Sequence, residues 1–124
     1  MAASSSAGAK IYAYATSYGN AQSYIRPGHT FSHKITIRNT GNAPAYLTLY
    51  YTTPPGAAFM SAANCGSTSC VLGTLKPGAI VTKIIAFRTF STTACNQTLR
   101  VQYQIRSLQV PTTINFTGSQ QVKC

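Results

Sequence analysis

The sequence predicts an all-β protein, an antiparallel β-sandwich of seven to nine strands. Three observations support this fold class. Short runs rich in Thr, Tyr, Val, Ile and Phe recur at spacings of roughly 8–12 residues and are separated by Gly, Pro and Asn clusters. Several runs alternate strictly between apolar and polar residues, which argues against a parallel sheet buried on both faces. Helix signals are nearly absent. With 124 residues, the chain is long enough for one domain and too short for two.

Four runs carry the clearest strand patterns. In 10–18, Ile11, Ala13 and Ala15 share one face, while Tyr12, Tyr14 and Thr16 share the other. The inward residues of 31–39 are Phe31, His33, Ile35 and Ile37. Those of 45–53 are Leu47, Leu49 and Tyr51, and those of 99–107 are Leu99, Val101, Tyr103 and Ile105. Each alternation predicts a strand with one buried face.

The remaining strand candidates are less regular. They are 57–62, 79–90, 110–116 and 120–123. The run 79–90 carries apolar residues on both faces, so its register does not follow from the pattern. Pro-Gly at 27–28, the polar turn 39–44 and Pro-Pro-Gly at 54–56 are predicted turns. The domain organisation is therefore a flexible N-terminal leader, 1–9, followed by a single β-sandwich domain, 10–124.

The chain contains no Asp and no Glu, against ten Lys plus Arg. Carboxylates serve as general acids, bases, nucleophiles and hard-metal ligands, and only the C-terminus could supply one here. Glycosidase, aspartic-protease, two-metal and Ser-His-Asp chemistries are therefore excluded within this chain. We expect no enzyme activity, no catalytic residues, no cofactor, no metal and no small-molecule substrate.

The missing acids also predict tolerance of acid. Acid denaturation comes mostly from protonating carboxylates that are paired in the native state. In this chain only His29 and His33 would change charge, near the usual histidine pKa. We therefore expect a fold that is indifferent to pH below about 6.

The positive charge has two interpretations. It indicates an anionic partner, such as nucleic acid, a cell-wall polymer or a lipid surface, or it only keeps the protein soluble. The Lys and Arg residues are spread singly rather than clustered, which favours solubility. Their positions are Lys10, Arg26, Lys34, Arg38, Lys76, Lys83, Arg88, Arg100, Arg106 and Lys123.

The four cysteines, Cys65, Cys70, Cys95 and Cys124, favour two disulfides in an oxidising compartment. A zinc site would need paired C-x₂-C spacing or nearby histidines, and redox catalysis usually needs C-x-x-C at a helix start. The favoured pairing is Cys65–Cys70, which closes a local loop, with Cys95–Cys124. Loop-closure entropy gives contributions of roughly 2 and 3.5 kcal/mol.

Other polar groups have structural or modification roles at most. His33 falls on the inward face of a strand and His29 in a turn, and neither has a carboxylate to orient it, so structural roles are expected. Asn96-Gln-Thr98 and Asn115-Phe-Thr117 match the N-glycosylation sequon, which makes Asn96 and Asn115 candidate acceptors.

The N-terminal strand has two possible partners. Ile11, Tyr12, Ala13, Tyr14 and Ala15 could pair with the open sheet edge of a neighbouring subunit, or the segment could fold back as the domain's own first strand. Tyrosines predicted to face outward, Tyr12, Tyr14, Tyr46 and Tyr50, are consistent with packing on a sheet surface or with an interface.

Three segments resemble a known family. PGHTFSHKITIRNTGNAPA, TTPPGAAFMSAANC and SCVLGTLKPGAIVTKIIAF resemble successive motifs of the Ig-like conserved-repeat domains of bacterial and archaeal cell-surface proteins. The match covers about residues 24–106. Those repeats usually carry an Asp just before the Pro-x-Gly segment, where this chain has Thr52-Thr53, so an acidic or calcium-linked role of that loop is not implied. The resemblance implies an Ig-like extracellular sandwich used as a spacer, adhesin or filament subunit.

Two functions follow as hypotheses. The first is an extracellular or surface-displayed structural protein, acid-tolerant, which assembles into an oligomer or pilus-like filament through β-strand contacts. The second is a basic binding module for an anionic polymer or surface.

Overall fold

The computed structural model describes residues 8–18, 24–62, 65–108 and 113–124. The described residues form nine strands and no helix. The strands are β1 (Ile11–Tyr18), β2 (Tyr24–Ile25), β3 (Thr30–Asn39), β4 (Ala45–Thr52), β5 (Ala57–Ala62), β6 (Ser69–Leu75), β7 (Ile80–Thr89), β8 (Gln97–Ser107) and β9 (Ile114–Val122).

The strands form two packed sheets. Sheet A has the order β1-β3-β7-β5, and sheet B has the order β2-β9-β8-β4-β6. Every pairing is antiparallel except the short parallel ladder between β2 and β9. The sequence prediction of an all-β sandwich with seven to nine strands is confirmed, although neither β2 nor β6 coincides with a strand candidate from the sequence.

The core lies between the sheets and uses the alternation predicted from the sequence. The inward sets of β3, β4 and β8 are buried as expected. They supply most of the largest fully buried side chains, including Tyr103, Phe31, Ile35, Ile37, Leu47, Leu49 and Ile105. Since one face of each strand is buried, a slip of one residue would turn every core side chain to solvent, and the register is fixed accordingly.

Two parts of the sequence interpretation need correction. The candidates 110–116 and 120–123 are not separate strands: β9 runs without a break from Ile114 to Val122 and passes through Gly118, while residues 110–112 lie outside the described part. The register of β7, which the pattern left open, is settled by its pairing with β3. Ile85 and Phe87 point inward and are fully buried, whereas Ile80 and Ile84 point outward and are exposed.

Candidate functional site

The edge of sheet A formed by β1 is the candidate site. β1 pairs along all eight residues with β3, from Ile11 opposite Asn39 to Tyr18 opposite Ser32, with no break in register. Within the described residues no strand is hydrogen-bonded to its other side, although Cα atoms of β9, in the facing sheet, lie within 8 Å of Cα atoms of β1. An edge strand of this kind presents a row of unpaired N–H and C=O groups. Prolines, charged side chains and bulges are the usual features that prevent edge-to-edge pairing, and residues 11–18 contain none of them.

The opposite edges of the two sheets carry such devices. β5 has a register irregularity between Phe59 and Ser61, and β6 has one where it passes Leu47 and Thr48. The portion of β7 beyond the described end of β5 contains Lys83, which shares the inward face with its partner Ile35. Inward-pointing lysines and bulges disfavour pairing with another chain.

β9 lies on the same side of the sandwich as β1 and is also partly open. β2 covers only its last two residues, Gln121 and Val122. The remainder of β9 includes Gly118, and glycine weakens a strand's ability to pair and pack. β1 is therefore the edge with the fewest features that oppose association.

The N-terminal end of β1 is held by two asparagines. The buried Asn39 Oδ1 accepts a hydrogen bond from Lys10 N at 3.2 Å, and Asn42 Oδ1 accepts one from Gly8 N at 2.6 Å. Gly41 is required where these segments cross, because a Cβ there would lie 2.2 Å from Gly8 O. The structure thus contains the folded-back arrangement of the N-terminal strand. Gly8, although in the predicted leader, is part of this anchor, whereas residues 1–7 lie outside the described residues.

Both disulfides are present in the pairing that was favoured from the sequence, Cys65–Cys70 and Cys95–Cys124. The Tyr51 hydroxyl donates to the carbonyl oxygen of Gly66 in the small loop, with Ser69 O at 3.3 Å. The second bond ties the chain after β9 to the turn before β8. These bonds are typical of an oxidising environment.

A buried polar pair, His33 of β3 and Tyr103 of β8, lies in the core between the sheets. His33 Nε2 donates to Ser119 O at 3.1 Å, since a carbonyl can only accept, and Nδ1 accepts from the Tyr103 hydroxyl at 2.8 Å. Burial lowers the pKa of His33, an effect partly offset by the Ser119 carbonyl. Burial, and then the nearby Tyr51, raise the pKa of Tyr103. The expectation that His33 titrates near the usual histidine pKa is therefore wrong.

This correction changes the expected acid response. Because the folded pKa of His33 lies below the unfolded value of 6.5, the unfolded chain takes up a proton first as the pH falls. Stability present above pH 6.5 should decline below it, then level off once folded His33 is protonated, since no side-chain carboxylates follow. We expect the melting temperature to fall as the pH drops from about 6.5 to the folded pKa of His33 and to stay constant below. His33→Gln should remove this step, and His29→Gln, which alters an exposed residue, should retain it. A continued fall of the wild-type melting temperature to pH 2 would contradict this account.

The candidate glycosylation residues are both exposed. Asn96 has a φ of 59° in the turn before β8. Asn115 lies on the outer face of β9, where its Oδ1 accepts from Gln104 Nε2 at 3.2 Å. Their modification stays a prediction. Within the described ranges no group of three His or Cys residues is placed to bind a metal, and no helix there is long and apolar enough to cross a membrane.

The structure brings the N-terminal candidates into one edge strand and leaves the disulfides and sequons elsewhere. Tyr12, Tyr14, Tyr46 and Tyr50 are exposed as predicted, the first pair on sheet A and the second on sheet B. The position of β1 at the edge of sheet A could not be predicted from its residues, because it depends on the order of strands in the sheet. Sequence analysis also missed Asn39 as an anchor, since it lies in a segment whose composition indicates only a turn.

Comparisons with known proteins support the fold. No family model matches the chain, and no curated protein matches it. Among solved structures, native alpha-2-macroglobulin from E. coli is 18% identical with a TM-score of 0.68, over 91% of this chain and 6% of that chain. A FixG-related protein from Vibrio parahaemolyticus is 9% identical with a TM-score of 0.62, over 92% and 97%. A family 123 glycoside hydrolase from Clostridium perfringens is 11% identical with a TM-score of 0.59, over 91% and 27%.

These likenesses support the fold alone, an immunoglobulin-like β-sandwich, and the chain is similar in fold to a domain of E. coli alpha-2-macroglobulin. The chain spans only 6% of that large protein. One such fold hosts many unrelated functions, so the function depends on the residues of this chain.

Proposed function

We propose that the protein is an extracellular structural domain that self-associates through the β1 edge of sheet A. The observation that carries this proposal is the contrast between edges: β1 offers eight continuous, uncharged strand residues, whereas the opposite edges have bulges or an inward lysine. Two disulfides and the resemblance to Ig-like repeats of bacterial and archaeal surface proteins support an extracellular or cell-surface location.

The geometry of association depends on which edge β1 meets. Antiparallel pairing of β1 with β1 of a second copy forms an isologous contact and closes a two-fold dimer. Pairing of β1 with a different edge of the next copy is heterologous and forms a filament if it does not close. In both cases the chain's strong positive charge opposes association, but residues 11–18 carry none of it.

Ala15→Lys tests the role of β1. Ala15 lies on the inward side of the edge strand and is partly buried, so a lysine there copies the arrangement of Lys83. We expect wild-type protein to show concentration-dependent association by analytical ultracentrifugation and Ala15→Lys to remain monomeric. Electron microscopy of the same samples distinguishes dimers from filaments.

Two further variants make the result interpretable. Gln102→Lys adds the same charge at an exposed residue of the central strand β8 and should leave association intact. Ser17→Lys places the lysine on the same side of β1 at an exposed residue. It replaces Ala15→Lys in the association test if Ala15→Lys melts at a lower temperature than the wild type. Equal association of the wild type and both β1 variants would overturn the proposal.

A further inference from the structure

We propose that the outer face of sheet A binds an anionic lipid surface. This face is formed by the outward residues of β1, β3 and β7, which lie in rows across the three strands. One row is Tyr12, Arg38 and Ile80, and another is Thr16, Lys34 and Ile84. The exposed tyrosines and isoleucines therefore lie on the two flanking strands, interspersed with Thr16 and Thr82, whereas Lys34 and Arg38 lie on the central strand.

The apolar side chains on this face are well exposed. Tyr12 and Ile80 are 59% and 57% exposed, and Tyr14, Tyr18 and Ile84 are between 40% and 46% exposed. Their strands span about 10 Å across, and Tyr12 to Tyr18 covers roughly 20 Å along the strand. The result is a face on which tyrosine rings and isoleucine side chains are exposed on neighbouring strands, and tyrosine is a residue type that favours membrane–water boundaries.

The cations on this face have no acidic side chain of the protein to pair with. Lys34 and Arg38 are exposed at the centre of the face, about 13 Å apart along β3. Arg88, on β7, donates from Nε to Gly28 O at 3.3 Å. The chain has no side-chain carboxylate, so neither this molecule nor a second copy offers acidic side chains to neutralise them. Charge complementarity therefore selects an anionic ligand over self-association at this face.

The apolar content favours a lipid surface over a soluble polyanion. Lysine and arginine near anionic headgroups each contribute about 1 kcal/mol, while exposed isoleucines gain from insertion into the headgroup region and nothing from a phosphate backbone. On the outer face of sheet B, in contrast, Arg106 and several amides are held by neighbouring side chains. Arg106 lies over the ring of Tyr50 and donates to Gln104, and Thr117 donates to Gln102.

The test is co-sedimentation with vesicles at 0.1 M salt. We expect wild-type protein to bind phosphatidylglycerol-containing vesicles and not pure phosphatidylcholine. The Lys34→Gln/Arg38→Gln double variant should bind roughly thirty-fold more weakly, and Ile80→Ser/Ile84→Ser roughly ten-fold more weakly. Arg100→Gln/Arg106→Gln removes the same charge from the outer face of sheet B and should bind within a few-fold of wild type. Since the substituted residues are exposed, unchanged melting temperatures verify folding.

Three results would overturn the proposal. The first is an absence of wild-type binding to the anionic vesicles. The second is an equal loss of vesicle binding in Lys34→Gln/Arg38→Gln and in Arg100→Gln/Arg106→Gln, which would show that binding depends on the net charge of the protein and not on this face. The third is vesicle binding that does not change in Ile80→Ser/Ile84→Ser, together with binding of single-stranded DNA that depends on Lys34 and Arg38. That combination would show that the face binds a soluble polyanion. Failure of these tests leaves the β1 edge proposal unaffected, because the vesicle and ultracentrifugation measurements use different variants.

Discussion

Asn39→Ala should lower the free energy of unfolding by about 3–5 kcal/mol, the largest effect we expect from a single substitution outside the apolar core. The fully buried side chain makes four hydrogen bonds. Its Oδ1 accepts from Lys10 N and Gly41 N, and its Nδ2 donates to Ala43 O and Leu75 O at 2.8 and 2.9 Å. Alanine would leave four backbone groups without this partner, and each such group costs about 1–3 kcal/mol where water cannot replace it.

The measurement is urea denaturation of Asn39→Ala beside Asn42→Ala. Asn42 accepts from Gly8 N at an exposed position, so its loss should cost about 1 kcal/mol or less. A cost below about 1 kcal/mol for Asn39→Ala would contradict the role of this side chain as the anchor that joins the start of β1 to the ends of β3 and β6.

Gly118→Ala should cost about 2–4 kcal/mol, which is the second large effect. A Cβ at this position would lie 2.7 Å from Cε1 and Nδ1 of His33 and 3.0 Å from Cε2 of Tyr103. The imidazole cannot move aside without breaking its hydrogen bonds to Tyr103 and Ser119. Tyr103 is itself confined by stacking on Phe116, with ring centroids 5.2 Å apart.

A matched glycine and a double-mutant cycle test this explanation. Gly66→Ala should cost less than about 0.5 kcal/mol, because the nearest atom to its added Cβ, Ser69 O, is 3.6 Å away. In a His33→Ala background, the penalty of Gly118→Ala should shrink, since the clashing ring is gone. Additive penalties in the cycle would show that His33 is not the source of the cost.

The sequence predicted the fold well where burial follows a strict period of two. In β3 and β8 the inward residues are apolar, aromatic or histidine, so the buried face could be assigned residue by residue. The pattern failed in β7, where Lys83 occupies an inward position near the sheet edge and Ile80 and Ile84 face solvent. Only pairing with β3 and β5 determines that register.

Two small or polar residues show why the remainder could not be predicted. Gly118 follows a Thr and precedes a Ser and two Gln residues, a composition that indicates a break between strands. Its role in the structure is to leave room for the ring of His33, 85 positions earlier in the chain. Asn39 begins a typical turn sequence, but it is fully buried. Such roles depend on contacts between distant segments, which composition and periodicity do not encode.

The candidate site was only partly accessible to sequence reasoning. The alternation in residues 10–18 predicted the strand and its exposed tyrosines, and both are confirmed. That the strand is an edge, and that the opposite edges are protected, follows from the order of strands in the two sheets. The partner of that edge stays a prediction.

Hydrogen–deuterium exchange of the β1 amides as a function of protein concentration tests the central claim most directly. If copies pair through this edge, the amides within residues 11–18 that point away from β3 should become protected as concentration rises. Amides in β5 and β6 should show no such change if β1 pairs with β1, whereas pairing of β1 with the opposite edge of sheet A would protect β5 or β7 as well. Exchange in β1 that does not depend on concentration, from dilute solution to the highest soluble concentration, would contradict the account.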